Sequence, residues 1–296
     1  MPMWFARRHF VLFAAVLAAS GCGSTRPAYV DEDARFRRAV QLRSAGEHQA
    51  AAAAFADYAR EFPTESRAGL AQYWSGEELE ASGNDEAAFD AYVALEDRFP
   101  ESDYVGRARA KCLEIGNRLL TTDATAGERL LRRMADRARH SEAAAQARMR
   151  LGEHYFTQGR WAEAKFEFDD VAHEQPQGRL RAKAELRAAL AEFRQIDRVD
   201  GNMEHALAAQ RRLMQLRTAP LDANDMQVVD RYLARVLNLA AEHHLRTAQF
   251  YLKQGELRPA LNLLREVLET YPDTPSAEPA ANLTAFILEL LREGEE

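Results

Sequence analysis

Apolar and small side chains along this chain recur at intervals of three and four, the period of an amphipathic helix, and nowhere in the sustained alternation that a half-buried strand requires. "DARFRRAVQLRSAG" from Asp33 predicts one helix and "HQAAAAAFADYAREFP" from His48 a second. "RAGLAQYWSGEELEASG" from Arg67 and "DEAAFDAYVALEDRFP" from Asp85 repeat the pair. The punctuation is in register. A glycine is followed five positions on by alanine, four further by an aromatic residue or leucine, and 17 after the glycine by proline: Gly46, Ala51, Phe55, Pro63; Gly83, Ala88, Tyr92, Pro100; Gly159, Ala164, Phe168, Pro176; Gly255, Ala260, Leu264, Pro272. Glycine stops a helix in a conformation other residues resist, and proline cannot continue one. Four occurrences of one spacing mark an internal repeat.

The spacing fits the tetratricopeptide pattern, W-x2-L-G-x2-Y, then A-x3-F, then P over about 34 residues. In it the small residue sits where two helices cross closely, the alanine and aromatic face the neighbouring pair, and the proline turns the chain into the next unit. First-helix slots agree in part, with Gly76 and Leu79, then Leu151, Gly152 and Tyr155, then Ala248 and Tyr251. No tryptophan fills the tryptophan slot. Weaker copies occupy the gaps: "YVGRARAKCLEIGNRLL" with "AGERLLRRMADRARHS", and "RLRAKAELRAALAEFRQID" with "NMEHALAAQRRLMQLR", where Gly201, Ala206 and Pro220 are roughly in phase. "NDMQVVDRYLARVLNLAAEHHLRTAQFYLKQG" reads as one helix of about thirty residues, twice the usual length. The expectation is an all-α tetratricopeptide-repeat solenoid of about five to six helix pairs, closed by a capping helix from about Ala277 to Leu291. Residues 34–196 would form the N-terminal repeats, and 197–296 the C-terminal repeats with the long helix and the cap.

The first 21 residues stand apart. "MPMWFARRHFVLFAAVLAASGCGS" carries Arg7 and Arg8, an apolar run from Phe10 to Ala19 too short to span a bilayer, and small residues before Cys22, the layout of a secretory signal. "AASGC" resembles the lipobox of bacterial lipoproteins, with Ala19 where leucine is commonest, and makes Cys22 the lipid-attachment residue. An ordinary cleavage site with a stray cysteine is the competing reading. "RRHFVL" resembles a twin-arginine signal but lacks the preceding Ser or Thr, so general secretion is the expectation. Residues 22–33, including "GSTRPAYVDED", contain Gly and Pro and no helical period, and read as a lipidated flexible tether.

Charge narrows the partners. The chain has 39 Lys and Arg against 46 Asp and Glu; removing the signal takes away only Arg7 and Arg8, so the mature balance is 37 − 46, or −9. Such a body repels nucleic acid and anionic lipid alike. Membrane attachment therefore falls to the lipid, each buried methylene contributing about 0.8 kcal/mol.

No phosphate-binding glycine loop, nucleophile elbow or paired-cysteine motif is present, so no enzyme, cofactor or metal is expected. Cys112 is left without a partner and reads as a core thiol. His243 and His244 are adjacent in a helix, about 100 degrees apart, and cannot chelate one ion as an i, i+4 pair does. "DANDMQVVD" starts like a calcium loop but lacks its glycine and closing glutamate; Asn224 or Asp225 capping the long helix accounts for it better. Arg129, Arg132, Arg133, Arg137 and Arg139 form a basic helix face, either solvated or a dock for an acidic partner. Repeat arrays of this kind bind along the face lined by their first helices. There Tyr73, Glu77 and Glu80 are expected to face outward as a candidate peptide site, with Trp74 packed between helices.

Export signal and repeats together resemble the BamD family, also called YfiO, outer-membrane lipoproteins built of tetratricopeptide repeats. The resemblance runs from about Ala34 to Leu291 and is sharpest in "LAAEHHLRTAQFYLKQGELRPALNLLREVLETYPDTPSAEPA", carried by Leu239, Phe250, Tyr251, Leu252, Gly255, Tyr271, Pro272, Thr274 and Pro275. "LEDRFPESDYVGRARAK" departs from the Arg-Phe-Ile and His-Pro stretch usual in the family. The resemblance implies a non-enzymatic scaffold facing the periplasm from the outer membrane and taking part in β-barrel assembly. Its implied partners are a BamA-like barrel component, other assembly lipoproteins and unfolded outer-membrane protein segments. The barrel component would bind mainly the C-terminal pair, leaving the face around Tyr73 for clients. Another periplasmic repeat scaffold, serving envelope or peptidoglycan processes, is the alternative.

Overall fold

A computed structural model describes residues 31–137, 140–175, 177–196 and 203–293. Among these residues the chain forms thirteen α-helices and no strand. They are α1 (Glu32–Ser44), α2 (His48–Glu61), α3 (Ala68–Ala81), α4 (Asp85–Arg98), α5 (Val105–Thr122), α6 (Ala124–Arg137) and α7 (Glu142–Thr157). There follow α8 (Trp161–Glu174), α9 (Arg179–Arg194), α10 (Met203–Leu216), α11 (Ala223–Lys253), α12 (Leu257–Thr270) and α13 (Ala277–Glu293). Consecutive helices pack on one another, giving six pairs and a final single helix, the arrangement of a tetratricopeptide-repeat solenoid. The first helix starts at Glu32, two residues before the expected Ala34, because the Asp31 side chain accepts from the Ala34 amide at 3.2 Å and caps it.

The repeated glycine has one job in all four places. Gly46, Gly83, Gly159 and Gly255 take φ between 73° and 79°, the left-handed region that costs most residues a Cβ clash. Their amides donate two residues past the helix end, to Arg43, Glu80, Phe156 and Leu252, and the next amides reach Leu42, Leu79, Tyr155 and Tyr251. That pair of hydrogen bonds is the Schellman cap, which satisfies carbonyls a helix end leaves open. The second helix then begins within two residues. Its alanine (Ala51, Ala88, Ala164 or Ala260) is fully buried, and Phe55, Tyr92, Phe168 or Leu264 four positions on is at most 1% exposed. Pro63, Pro100 and Pro272 each follow the residue that caps α2, α4 or α12; Pro176 and Gly201 lie outside the described residues.

The core is a chain of apolar clusters handed from pair to pair. Phe36, Phe55 and Tyr58 join α1 and α2 to α3, with Trp74 packed between Phe36 and Phe55 at ring-centroid distances of 5.7 and 5.3 Å, as expected for that residue. The largest cluster runs from α3 to α9 through Tyr92, Ile115, Leu131, Leu151 and Phe168. The long helix serves two cores in succession: Val229, Leu233 and Val236 pack with α9 and α10, while Ala240, Leu245 and Ala248 pack with α12 and α13. The division at 196/197 therefore falls between the two helices of the fifth pair, whose shared core includes Leu186, Leu190 and Leu213. α11 spans Ala223–Lys253, and its cap is Asp222, whose carboxylate accepts from the Asp225 amide at 2.9 Å. Neither Asn224 nor Asp225 caps it; both lie inside the first turn.

Candidate partner-binding groove

Of the residues singled out, Tyr73 is drawn into the stack, while Glu77 and Glu80 are half-buried and line a charged cleft open to solvent together with Arg43, Lys111 and Arg118. Tyr73 is 6% exposed, its ring stacked on Tyr104 at 5.3 Å and near Tyr92 at 5.6 Å. Tyr104 caps α5 and closes over Tyr73 from the loop that departs from the family sequence. Burial, with the Glu77 carboxylate beside it, raises the Tyr73 phenol above its ordinary value. Glu77 pairs with Arg43 of α1 at 2.9 Å. Glu80 accepts from the Tyr92 hydroxyl at 3.1 Å and from Arg118 at 3.3 Å, with Lys111 at 3.5 Å. These carboxylates tie three successive first helices together, and Tyr73 offers no outward ring.

A second groove, with more apolar lining, lies further along the first helices. A groove of about 380 Å³ crosses α5, α7 and α9 and ends against the start of α11. Leu113, Met149, Leu180 and Leu186 give it apolar surface, and Glu114, Arg150, Glu153, Lys183, Arg187 and Asp225 line it with charge. The positions recur: Leu113, Met149 and Leu186 stand 36 and then 37 residues apart, as do Glu114, Arg150 and Arg187. Counted from the crossing glycines Gly76, Gly116 and Gly152, Leu113 and Met149 hold the Tyr73 position, and Asn117 and Glu153 the Glu77 position. Phase along the first helices was thus readable, but accessibility at each position was not, since Tyr104 covers Tyr73. Arg187 bonds Glu153 at 2.8 Å, joining α9 to α7. Lys183 reaches Asp222 and Asp225 at 3.8 and 3.6 Å, joining α11 to α9.

The arginine face of α6 is neither simply solvated nor a free basic patch. Arg129 pairs with Glu86 and Arg133 with Asp90, both at 2.5 Å, and Arg137 pairs with Asp97. These three carboxylates belong to α4, so the face forms a ladder between neighbouring second helices. Arg132 instead donates to the Tyr155 hydroxyl at 2.7 Å. Arg139 lies outside the described residues. A second charged centre is buried. Arg148 of α7 is 5% exposed and meets Glu167 at 3.2 Å and Asp170 at 2.9 Å on α8, with Asp136 and Glu174 at 3.6 and 3.7 Å.

Cys112 is buried, and burial pushes its thiol up to about 12, the setting of an inert core cysteine. His244 packs on Tyr271, and burial lowers its pKa. Among the described residues no cluster of His, Cys, Asp or Glu has the arrangement of a metal site. Cys22 and the export signal lie outside the described residues.

Residues 116–291 match the YfiO family, described as outer membrane lipoproteins, and residues 33–64 match a tetratricopeptide repeat. No curated protein matches the chain. Similar solved structures include the C-terminal part of a TPR repeat-containing protein from Cytophaga hutchinsonii, 17% identical, covering 86% of this chain and 88% of that one at a TM-score of 0.36. A thermophilic TPR protein from Thermus thermophilus is 17% identical over 87% and 99% of the two chains, TM-score 0.22. A tetratricopeptide repeat protein from Parabacteroides merdae is 12% identical over 87% and 98%, TM-score 0.25.

Proposed function

The chain belongs to the YfiO family of outer membrane lipoproteins, and from that premise we propose that it is a lipid-anchored periplasmic scaffold taking part in the assembly and insertion of β-barrel outer-membrane proteins. The observation that carries this reading is the family match itself, which runs unbroken from α5 to α13 through the groove-lining helices α7 and α9. No helix among the described residues is long and apolar enough to cross a membrane. Acyl chains on Cys22 supply the anchor in this reading, and more than one is needed for firm attachment.

A scaffold works through surfaces, and two support this role. The groove over α5, α7 and α9 offers apolar floor and charge to an extended segment. The C-terminal end presents Phe250 on α11 and Phe286 and Leu288 on α13, each at least half exposed, where a folded barrel component can cover them. Purification of the tagged full-length protein from detergent-solubilised envelopes tests the proposal. A large β-barrel protein with periplasmic domains is expected to co-purify. Recovery of wall-associated proteins without any barrel protein would overturn it.

A further inference from the structure

The groove is charge-balanced except at one side chain. Across it Arg187 is engaged by Glu153 and Lys183 lies by Asp225, while Glu114 at the α5 edge has Lys111 at 3.3 Å. Arg150 on α7 is exposed and has no carboxylate within ion-pairing distance among the described residues. It stands midway in a row whose apolar members lie on both sides: Leu113 on α5, Met149 beside it on α7, Leu180 and Leu186 on α9. A guanidinium presents a fixed fork of donors matched to a carboxylate. A groove that leaves one such fork unmatched, over apolar surface, is complementary to a segment that brings its own carboxylate.

We propose that this groove binds an extended segment of a partner protein through an aspartate or glutamate side chain held by Arg150, with flanking apolar side chains resting on Leu113, Met149, Leu180 and Leu186. The carboxylate belongs to a side chain and not to a chain end, because apolar lining continues past Arg150 in both directions and a terminus would leave one side uncovered. Asn117, whose side chain makes no hydrogen bond among the described residues, is placed on the same wall to meet the segment's backbone. This inference rests on the scaffold reading above and names the chemistry of the segment the scaffold takes.

The test uses the mature full-length protein and a fluorescein-labelled probe, Leu-Ser-Leu-Glu-Leu-Ser-Leu amide, followed by anisotropy. Two companions carry glutamine at the centre, one amidated and one with a free carboxyl terminus. The glutamate peptide is expected to bind about tenfold more tightly than the amidated glutamine peptide, the worth of one charge-assisted pair. Arg150→Gln should erase that difference and Arg150→Lys restore much of it, with melting temperatures unchanged because Arg150 is on the surface. Equal binding of the two amidated peptides, or discrimination that survives Arg150→Gln, would overturn the proposal. Equally tight binding by the free-carboxyl glutamine peptide would overturn the side-chain assignment. Any of these failures leaves co-purification of a barrel protein untouched, so the two readings fail separately.

Discussion

Gly76 lies directly under the ring of Tyr92: a Cβ on Gly76 would stand 2.5 Å from Tyr92 Cε1. Gly152 meets Phe168 Cε1 at the same distance, again 16 residues on, and Gly116 meets Leu131 Cδ2 at 2.5 Å in the weaker copy. Fully buried Ala39 and Ala248 hold the equivalent place before Phe55 and Leu264. These five pairs are each closed by one small residue at the place of one large one. Gly152→Ala should therefore destabilise by about 1 to 3 kcal/mol through overpacking. Gly106→Ala, where a Cβ meets nothing within 4 Å, should be neutral or stabilising by about 0.5 to 1 kcal/mol. Urea unfolding of the two variants compares them, and equal midpoints would mean that the crossing is not tight. Ala164→Leu and Ala260→Leu test the facing helix in the same way.

The buried Arg148 centre should dominate the polar contribution to stability. Arg148→Met leaves Glu167 and Glu174 without their cation, and breaking a buried pair from one side costs about 3 to 5 kcal/mol. Burial holds Glu167 above its ordinary value against the pull of Arg148. The folded chain then keeps a proton that the unfolded chain has released, so this group's stabilisation is full below pH 4.5 and falls as pH rises through the raised value. Glu167→Gln cannot ionise and should gain on the wild type as pH climbs from 4.5. Thermal unfolding across that range reads the sign, and a difference that shrinks with rising pH would contradict it.

The ladder between α4 and α6 should matter little by comparison. Its members are about one third to three fifths exposed, and exposed pairs are typically worth about 0 to 1 kcal/mol. A double-mutant cycle on Arg133 and Asp90 should give a coupling in that range at low salt, shrinking at about 1 M, where the Debye length is about 3 Å. A coupling undiminished at high salt would mean that the pair is shielded.

The fold was legible because its determinants are local. The turn glycines, the alanines and aromatics of the second helices, the length of α11 and the capping helix all follow from spacing within one unit. What was not legible depends on neighbours far along the chain. Tyr73 reads as a surface residue until Tyr104, from the loop two helices on, is seen to cover it. Asp222, Asn224 and Asp225 are comparable caps by residue type, and only the extended backbone at Asp222, with ψ of 169°, selects the first. The arginines of α6 look unpaired because their carboxylates lie about one repeat earlier, on α4. The groove was obscured in part for the same reason, since its α5 and α9 walls sit in the copies where the repeat signature is weakest.

Attachment to the membrane should depend on Cys22 alone. Cys22→Ser, with export kept intact, is expected to move the protein from the membrane fraction to the soluble periplasm. Sedimentation with membranes after a high-salt wash would show a second attachment that neither the acidic body nor its helices account for.

Depletion of the protein tests its participation in barrel assembly. The measurement is the amount of folded, heat-modifiable β-barrel protein in the outer membrane as the protein is withdrawn. Folded barrels are expected to fall while their unfolded precursors collect in the periplasm, and wild-type protein is expected to restore them. Unchanged folded barrels after depletion, with a defect confined to the cell wall, would contradict it.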